Sequence, residues 1–397
     1  MDGGESLSQN NDIRCSRCPP EKAKLYKGKK GLRIHYGHAH RDFLSDLNCD
    51  RTSASETFVA HLFDSVPSTS SVFVQTDLDL LSKNLTNLKK NVKIIKRIPK
   101  GVRMLVASQL SSVIQSCLSE NTIASWAELF LFSFKFLNVT QEKKGSLVQA
   151  IKANLISNAV PEIRKQKFKE KTLVERVEGK MIDLDIRGAV KLISSTDSVA
   201  RVDEQIFSDL KTKHPVPSRP LDFPDAPDDS IRPLVVNSSS VLKSIDSFPT
   251  GSSGGIDGLS PQHLKDLVSL SANEHGRKLL SSLTSLCNFL LAGKVNEAVC
   301  PLLYGASLFA LTKKDGGVRP IAVGSVIRRL VAKLSCFSVK EEMAAHFLPH
   351  QLGFGTKLGC EAAIHAARAH VADLANKDQV LLKIDFQNAF NSVERDS

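Results

Sequence analysis

Between residues 84 and 215 apolar positions recur at helical spacing. Val106, Leu110, Val113, Ile114 and Cys117 fall on one stripe, and TIASWAELFLFSFKFL carries a denser apolar face that holds the single tryptophan. This periodicity predicts a packed helical region.

Beyond residue 235 the pattern becomes mixed. Ser260 followed by Pro261 reads as an N-cap with proline at the first helical position, opening PQHLKDLVSL. Leu279, Leu283, Leu286 and Leu290 then line one face of a helix that Gly293 can end. In ASLFALTKKDGGVRPIAV two apolar segments flank Asp315-Gly316-Gly317, a turn chemistry that tolerates positive φ and predicts a β-hairpin. Ser325 opens another helix, with Val326, Ile327, Leu330, Val331 and Leu334 inward and Arg328, Arg329 and Lys333 on the other face. GCEAAIHAARAHVADLA predicts a further helix. Residues 380–384 read as a buried strand that delivers Asp385 at its end.

Two stretches interrupt these patterns. RTSASETFVAHLFDSVPSTSSVFVQTD is rich in breakers and reads as a loose linker, while the prolines of HPVPSRPLDFPDAPDDSIRP mark a boundary. No repeat occurs at a fixed period. The expected fold is therefore multidomain and mainly α, with an α+β C-terminal part. Its expected units are residues 1–45, a flexible linker at 46–83, a helical region with basic flanks at 84–215, a proline-rich linker at 216–234 and a mixed unit at 235–397.

Charge adds a class of partner. The chain has 397 residues and a formal charge of +11, which favours a polyanion because phosphate contacts release condensed counterions. Two basic runs, KKNVKIIKRIPKGVR and IRKQKFKEK, flank the helical region and suit either a phosphate backbone or a solvated face. No apolar run approaches the ~20 residues that cross a bilayer, and MDGGESLSQNNDIR lacks the regions of a signal peptide. An intracellular protein of the nucleus or cytoplasm, with no membrane partner, is expected. Eight cysteines are scattered with one close pair, which argues for metal rather than a disulfide framework.

That pair is Cys15 and Cys18, which with His35 and His40 gives the spacing C-x2-C-x16-H-x4-H. Two thiolates on a tight turn and two histidines on a following helix complete a tetrahedral Zn²⁺ site. His38 competes with His40 as fourth ligand, although two intervening residues fit a helix less well. Tyr26, Leu32 and His35 keep an aromatic-x5-Leu-x2-His spacing, so the segment resembles a CCHH zinc finger whose extra residues lie in the Pro19-Pro20 loop. A unit this small draws its folding free energy from the metal.

Four later segments occur in order: GSSGGIDGLSPQHLKDL, LFALTKKDGGVRPIAVGSVIRRLVAKL, PHQLGFGTKLGCEAAIHAARAH and LLKIDFQNAFNSV. Together, over about residues 235–397, they resemble the fingers and first palm motif of reverse transcriptases of the non-LTR retrotransposon type. The resemblance implies an RNA-directed DNA polymerase using Mg²⁺, RNA and DNA, and deoxynucleoside triphosphates. It assigns Asp385 as the first catalytic carboxylate and Mg²⁺ ligand, with the carbonyl of Phe386 as a further oxygen ligand. It places Phe390 at the position that crowds a ribose 2′-hydroxyl, and Arg319 and Lys314 at the nucleotide phosphates. A guanidinium gives bidentate phosphate contacts where lysine acts as a point charge. Arg328 and Arg329 fit template phosphates or a solvated helix face, and Asp257 reads as a turn former rather than a ligand.

Two-metal nucleotidyl transfer needs more than one carboxylate. The family's Asp-Asp hairpin lies well beyond its first motif, and only twelve residues follow Asp385 here. The adjacent pair Asp228 and Asp229 sits in the proline-rich stretch, a poor place for a hairpin tip. The expectation is thus a polymerase part that is inactive alone, with the 380–384 strand left as an unpaired apolar edge. A non-catalytic zinc-finger nucleic-acid-binding protein carrying a polymerase remnant is the alternative.

Overall fold

The computed structural model describes side chains and backbone for residues 78–139, 146–163, 172–182, 185–194, 198–200, 203–214, 232–313, 316–374, 378, 380–386 and 389. For residues 12–14 and 25–27 it describes the backbone alone. The chain divides into two units, Met1–Ser70 and Ser71–Ser397. In the first, strands β1 (Asp12–Arg14) and β2 (Leu25–Lys27) pair antiparallel, with Ile13 opposite Tyr26. Cys15, Cys18, His35, His38 and His40 lie outside the described residues.

The second unit is mostly helical. It opens with α1 (Leu78–Asn91), whose Leu81, Leu85 and Leu88 are buried at helical spacing. This helix begins inside the stretch expected to be linker, because those three leucines have a core to enter. Next come α2 (Arg103–Glu120) and α3 (Ile123–Phe136). Asn121 ends α2 in the left-handed region at φ 48°, and its Oδ1 accepts from Trp126 Nε1 at 3.0 Å. Thr122 and Ser125 form a capping box that starts α3. Trp126, Phe130, Phe132, Phe134 and Phe136 are all fully buried, so α3 is buried around most of its circumference and runs through the core, with Lys135 paired to Glu128 on the same helix.

α4 (Leu147–Ser157) packs against α3, whereas α5 (Leu173–Ile182) and α6 (Ile186–Ser194) pack chiefly on each other. A two-residue strand, β3 (Ser198–Val199), and α7 (Glu204–Thr212) follow. After the proline-rich stretch come α8 (Ser238–Asp246), α9 (Pro261–Leu267) and α10 (Asn273–Leu291). The cap of α9 is the expected one: Ser260 Oγ accepts from His263 N, with Pro261 at the first position. Gly293, at φ +67°, ends α10 by donating to Leu290 O while Lys294 N reaches Phe289 O, a Schellman cap.

The proline-rich stretch does not separate two cores. α2 packs most extensively on α10, and one apolar cluster runs from Leu81 and Trp126 through Leu264 and Leu286 to Leu334. Ser111 and Ser282 meet across the α2–α10 contact at 2.8 Å, with Gln115 Nε2 donating to Ser282 Oγ at 2.9 Å. Prolines forbid helix locally but say nothing about whether the helices on either side bury their faces together.

α11 (Cys300–Tyr304) leads into the expected hairpin, β4 (Ala306–Thr312) and β5 (Val318–Gly324), paired in register from Ala306↔Gly324 to Thr312↔Val318. β3 adds to the free edge of β4, so the region expected to be helical also contributes a strand to a three-stranded antiparallel sheet. α12 (Val326–Ser338) buries Val326, Ile327, Leu330 and Leu334, as its pattern predicts. α13 (Lys340–Phe347) and α14 (Gly359–Asp373) complete the helices. Residues 380–384 form no strand: Val380 is 87% exposed and Leu382 75%, in a stretch with no sheet partner among the described residues. Their apolar run does code for burial, but no described strand or helix supplies a surface to cover it.

Candidate functional site

The hairpin carries the site that the sequence singles out. Its seven paired positions hold the arms together, and the turn is closed by Lys313 N donating to Gly317 O at 2.7 Å and Gly316 N to Lys313 O at 3.1 Å. Arg319 lies one residue into β5 and is exposed, opposite Leu311. Two cations, Lys313 and Arg319, therefore sit at one end of the paired arms, where β3 adds to β4 at Leu311 and Thr312. Lys314 lies outside the described residues.

The other end of the arm is clamped to the helical core by the glycine-rich loop 253–259. Gly255 makes the clamp possible, because a Cβ there would sit 2.6 Å from Ser325 Cα and 2.9 Å from Gly324 C. Without a side chain the loop lies directly on the point where β5 turns into α12. Asp257 is buried in that loop. Its Oδ1 accepts from Leu259 N at 3.2 Å and its Oδ2 from Ser325 Oγ at 3.0 Å, while Ser325 Oγ accepts from Ile327 N to cap α12.

Asp257 does form its turn, as its sequence context predicts, and it also anchors a charge cluster that the sequence does not reveal. Burial pushes its carboxyl up to about 6, against the bonds from Ser325 and Leu259 and the fields of Lys89 and Arg329, which all lower it. Lys89, from the last turn of α1, is lowered by its own burial and by Arg329, with Asp257 opposing. Lys89 Nζ and Arg329 Nε are both buried without a hydrogen-bond partner. Lys89 also lies 5.5 Å from the ring centroid of Phe309 on β4. One carboxylate and two cations thus join α1, the loop, the hairpin and α12.

The arginines of α12 are neither bare nor simply solvated. Arg328 donates to Tyr304 O at the entrance to β4, and Arg329 donates to Ser253 O and lies 5.7 Å from the Phe248 ring. Both hold chain against the hairpin's base. The basic run near residue 97 is likewise partly structural. Arg103 is buried and donates to Asp266 Oδ1 at 2.9 Å, Ile98 O at 2.8 Å and the hydroxyls of Ser269 and Ser271. Asp266 also accepts from Ile98 N at 2.9 Å and Gln262 Nε2 at 3.1 Å. Beside it His263 donates from Nε2 to Ile95 O and accepts at Nδ1 from Ser260 N, and burial holds it below its ordinary range.

Asp385 and Phe386 are exposed, Phe386 to 74%, in the unpaired stretch 380–386. The structure therefore places Asp385 in an exposed segment with no regular secondary structure, without the rigid strand a metal-binding carboxylate is expected to have. Phe390 lies outside the described residues. Among the described residues no group of three or more histidine, cysteine, aspartate or glutamate side chains is gathered for a metal. The described cysteines, Cys117, Cys287, Cys300, Cys336 and Cys360, are all free thiols, and burial pushes Cys117 and Cys287 up to about 12. No described helix is long and apolar enough to cross a membrane.

Comparison with protein-family models, curated proteins and solved structures finds no match for this chain.

Proposed function

We propose that this chain handles nucleic acid through an N-terminal zinc finger and a nucleotide-binding part of a reverse transcriptase of the non-LTR retrotransposon type. The observation that carries the reading is the hairpin of β4 and β5, which sets Arg319 and Lys313 at one end of a seven-pair arm within the four ordered segments. A stiff arm ending in cations suits closure over a triphosphate, with Arg319 and Lys314 on the phosphates and Phe390 beside the sugar. Asp385, with the carbonyl of Phe386, would hold one Mg²⁺, which would supply charge stabilisation to the phosphates. Two-metal transfer needs further carboxylates, so the reading concerns binding of nucleotide and template by this part of the enzyme. In the finger, Cys15, Cys18, His35 and His40 would hold Zn²⁺. In its favour, β1 ends one residue before Cys15 and pairs with β2, so the two strands bracket Cys15 and Cys18 in the sequence.

The test is binding of Mg²⁺-deoxynucleoside triphosphate and of a primed RNA template to the full chain, with zinc content measured on the same protein. Arg319→Ala is expected to weaken triphosphate binding about tenfold or more, the worth of one charge-assisted contact. Equal affinity in the variant, or no affinity in the parent, defeats the nucleotide reading.

The exposure of the 380–386 stretch favours a second reading, a non-catalytic zinc-finger nucleic-acid-binding protein carrying a polymerase remnant. It expects zinc-dependent nucleic-acid binding with no triphosphate binding at all.

A further inference from the structure

The base of the hairpin is built in a way that stability alone does not explain. Asp257 is buried with two protein donors, Ser325 Oγ and Leu259 N, although an ionised carboxylate has room for about four. The cations that act on it, Lys89 from α1 and Arg329 from α12, each keep a buried nitrogen without a hydrogen-bond partner. Loop 253–259 supplies no other ionisable side chain. Replacing a whole buried ionic cluster by apolar residues of similar volume is commonly neutral or favourable to folding, so a stable joint does not require these charges. A charge held under these conditions sits at the joint where the loop meets the turn from β5 into α12, beside the further contacts that β3 and α7 make with the sheet.

We propose that Asp257, acting through Ser325, is a positioning residue that sets how readily the hairpin of β4 and β5 swings away from the helical core. The proposal rests on the reading that the hairpin closes over a nucleotide. Closed, the loop covers the junction of Gly324 and Ser325 and keeps water from the carboxylate. Opened, the junction lifts off Gly255, the bond from Ser325 breaks and Asp257 is hydrated.

The direction of its pH dependence follows. Asp257 titrates near 6 when closed and near the ordinary 3.8 when hydrated, so the closed form binds the proton more tightly. Closure is therefore favoured fully below about pH 4, and that advantage is lost as pH rises through about 6. At neutral pH the buried charge loads the hairpin toward opening. His263 in α9 is held below its ordinary range by burial, and it is unchanged in every variant below, so comparison with them subtracts its effect.

Hydrogen exchange at the amides of residues 306–324, measured on the full chain and corrected for intrinsic rates, reports the opening directly. From pH 4 to pH 7 the opening population is expected to rise by up to roughly 100-fold, the ratio set by the two titration points. Asp257→Asn should flatten that profile and leave the hairpin as protected at pH 7 as the parent is at low pH. Ser325→Ala removes the donor that favours the charged form and should move the midpoint upward, and Ser325→Thr, which keeps the hydroxyl, should restore it. A parent profile flat across this range overturns the proposal, as does Asp257→Asn with the parent's profile. If Asp257→Asn does not fold, the parent profile and the two Ser325 variants decide. Binding of Mg²⁺-deoxynucleoside triphosphate to the same proteins separates the two ideas. The expected exchange without nucleotide binding upholds the latch and defeats the nucleotide reading, while nucleotide binding with a flat profile does the reverse.

Discussion

Asp266 shows how far a single side chain can reach in this protein. Its two oxygens take bonds from Arg103, Ile98 N and Gln262, and so tie the start of α2 to α9 across 163 residues of sequence. Arg103 and Asp266 are both almost wholly buried, and breaking such a pair leaves an uncompensated charge inside. Asp266→Ala is expected to cost about 3–5 kcal/mol of folding stability, measured by urea unfolding at neutral pH. A loss below 1 kcal/mol would mean that water reaches Arg103 freely. None of this is legible in the sequence, where Arg103 belongs to a basic run and Asp266 is one polar position in a short helix. The partner of a buried charge is chosen by the fold, and here it lies in another sequence segment. Asp257 is the same case, since its turn is written in Gly-x-Asp-Gly chemistry but its contact with Ser325 and the fields of Lys89 and Arg329 are not.

At the scale of elements the sequence is far more informative. The caps at Ser260 and Ser325, the Schellman end at Gly293 and the hairpin register all depend on residues within a few positions of one another, which is why local chemistry predicts them. Two glycines that look alike in the sequence separate sharply once their surroundings are known. Gly293 needs its left-handed φ but has open space around it, whereas Gly255 is pressed against Ser325 Cα. Gly293→Ala should therefore cost only the backbone strain, about 1 kcal/mol. Gly255→Ala should cost more and also free the amides of residues 306–324 to exchange, because the added carbon drives the loop off the hairpin's base. Equal, small losses of thermal stability in both variants would contradict the clamp. The stretch 380–384 marks the limit of such reading: a short apolar run announces a buried strand, yet a strand exists only when another supplies its hydrogen bonds.

On the scale of the whole molecule the decisive fact is that one core draws on both sides of the proline-rich stretch. A boundary read from breakers describes the path of the chain, while the packing of α2 on α10 and of α3 within the same cluster describes what unfolds together. Trp126 makes this testable, being the only tryptophan and fully buried in α3. Were residues 84–215 a domain of their own, its fluorescence would follow their unfolding and ignore α10, where Leu279, Leu283 and Leu286 are buried. With a shared core, denaturant should shift the Trp126 emission and release the amides of α10 at one midpoint with one slope. Leu286→Ala, remote in sequence from Trp126, should then lower the tryptophan midpoint by the equivalent of about 2–5 kcal/mol, the cost of an unfilled cavity in a packed interior. An unchanged Trp126 midpoint in that variant would restore two separate domains. It would also detach the hairpin's base from the helices, since α1 carries Lys89 and α12 carries Ser325 into the same joint through the core that α10 completes.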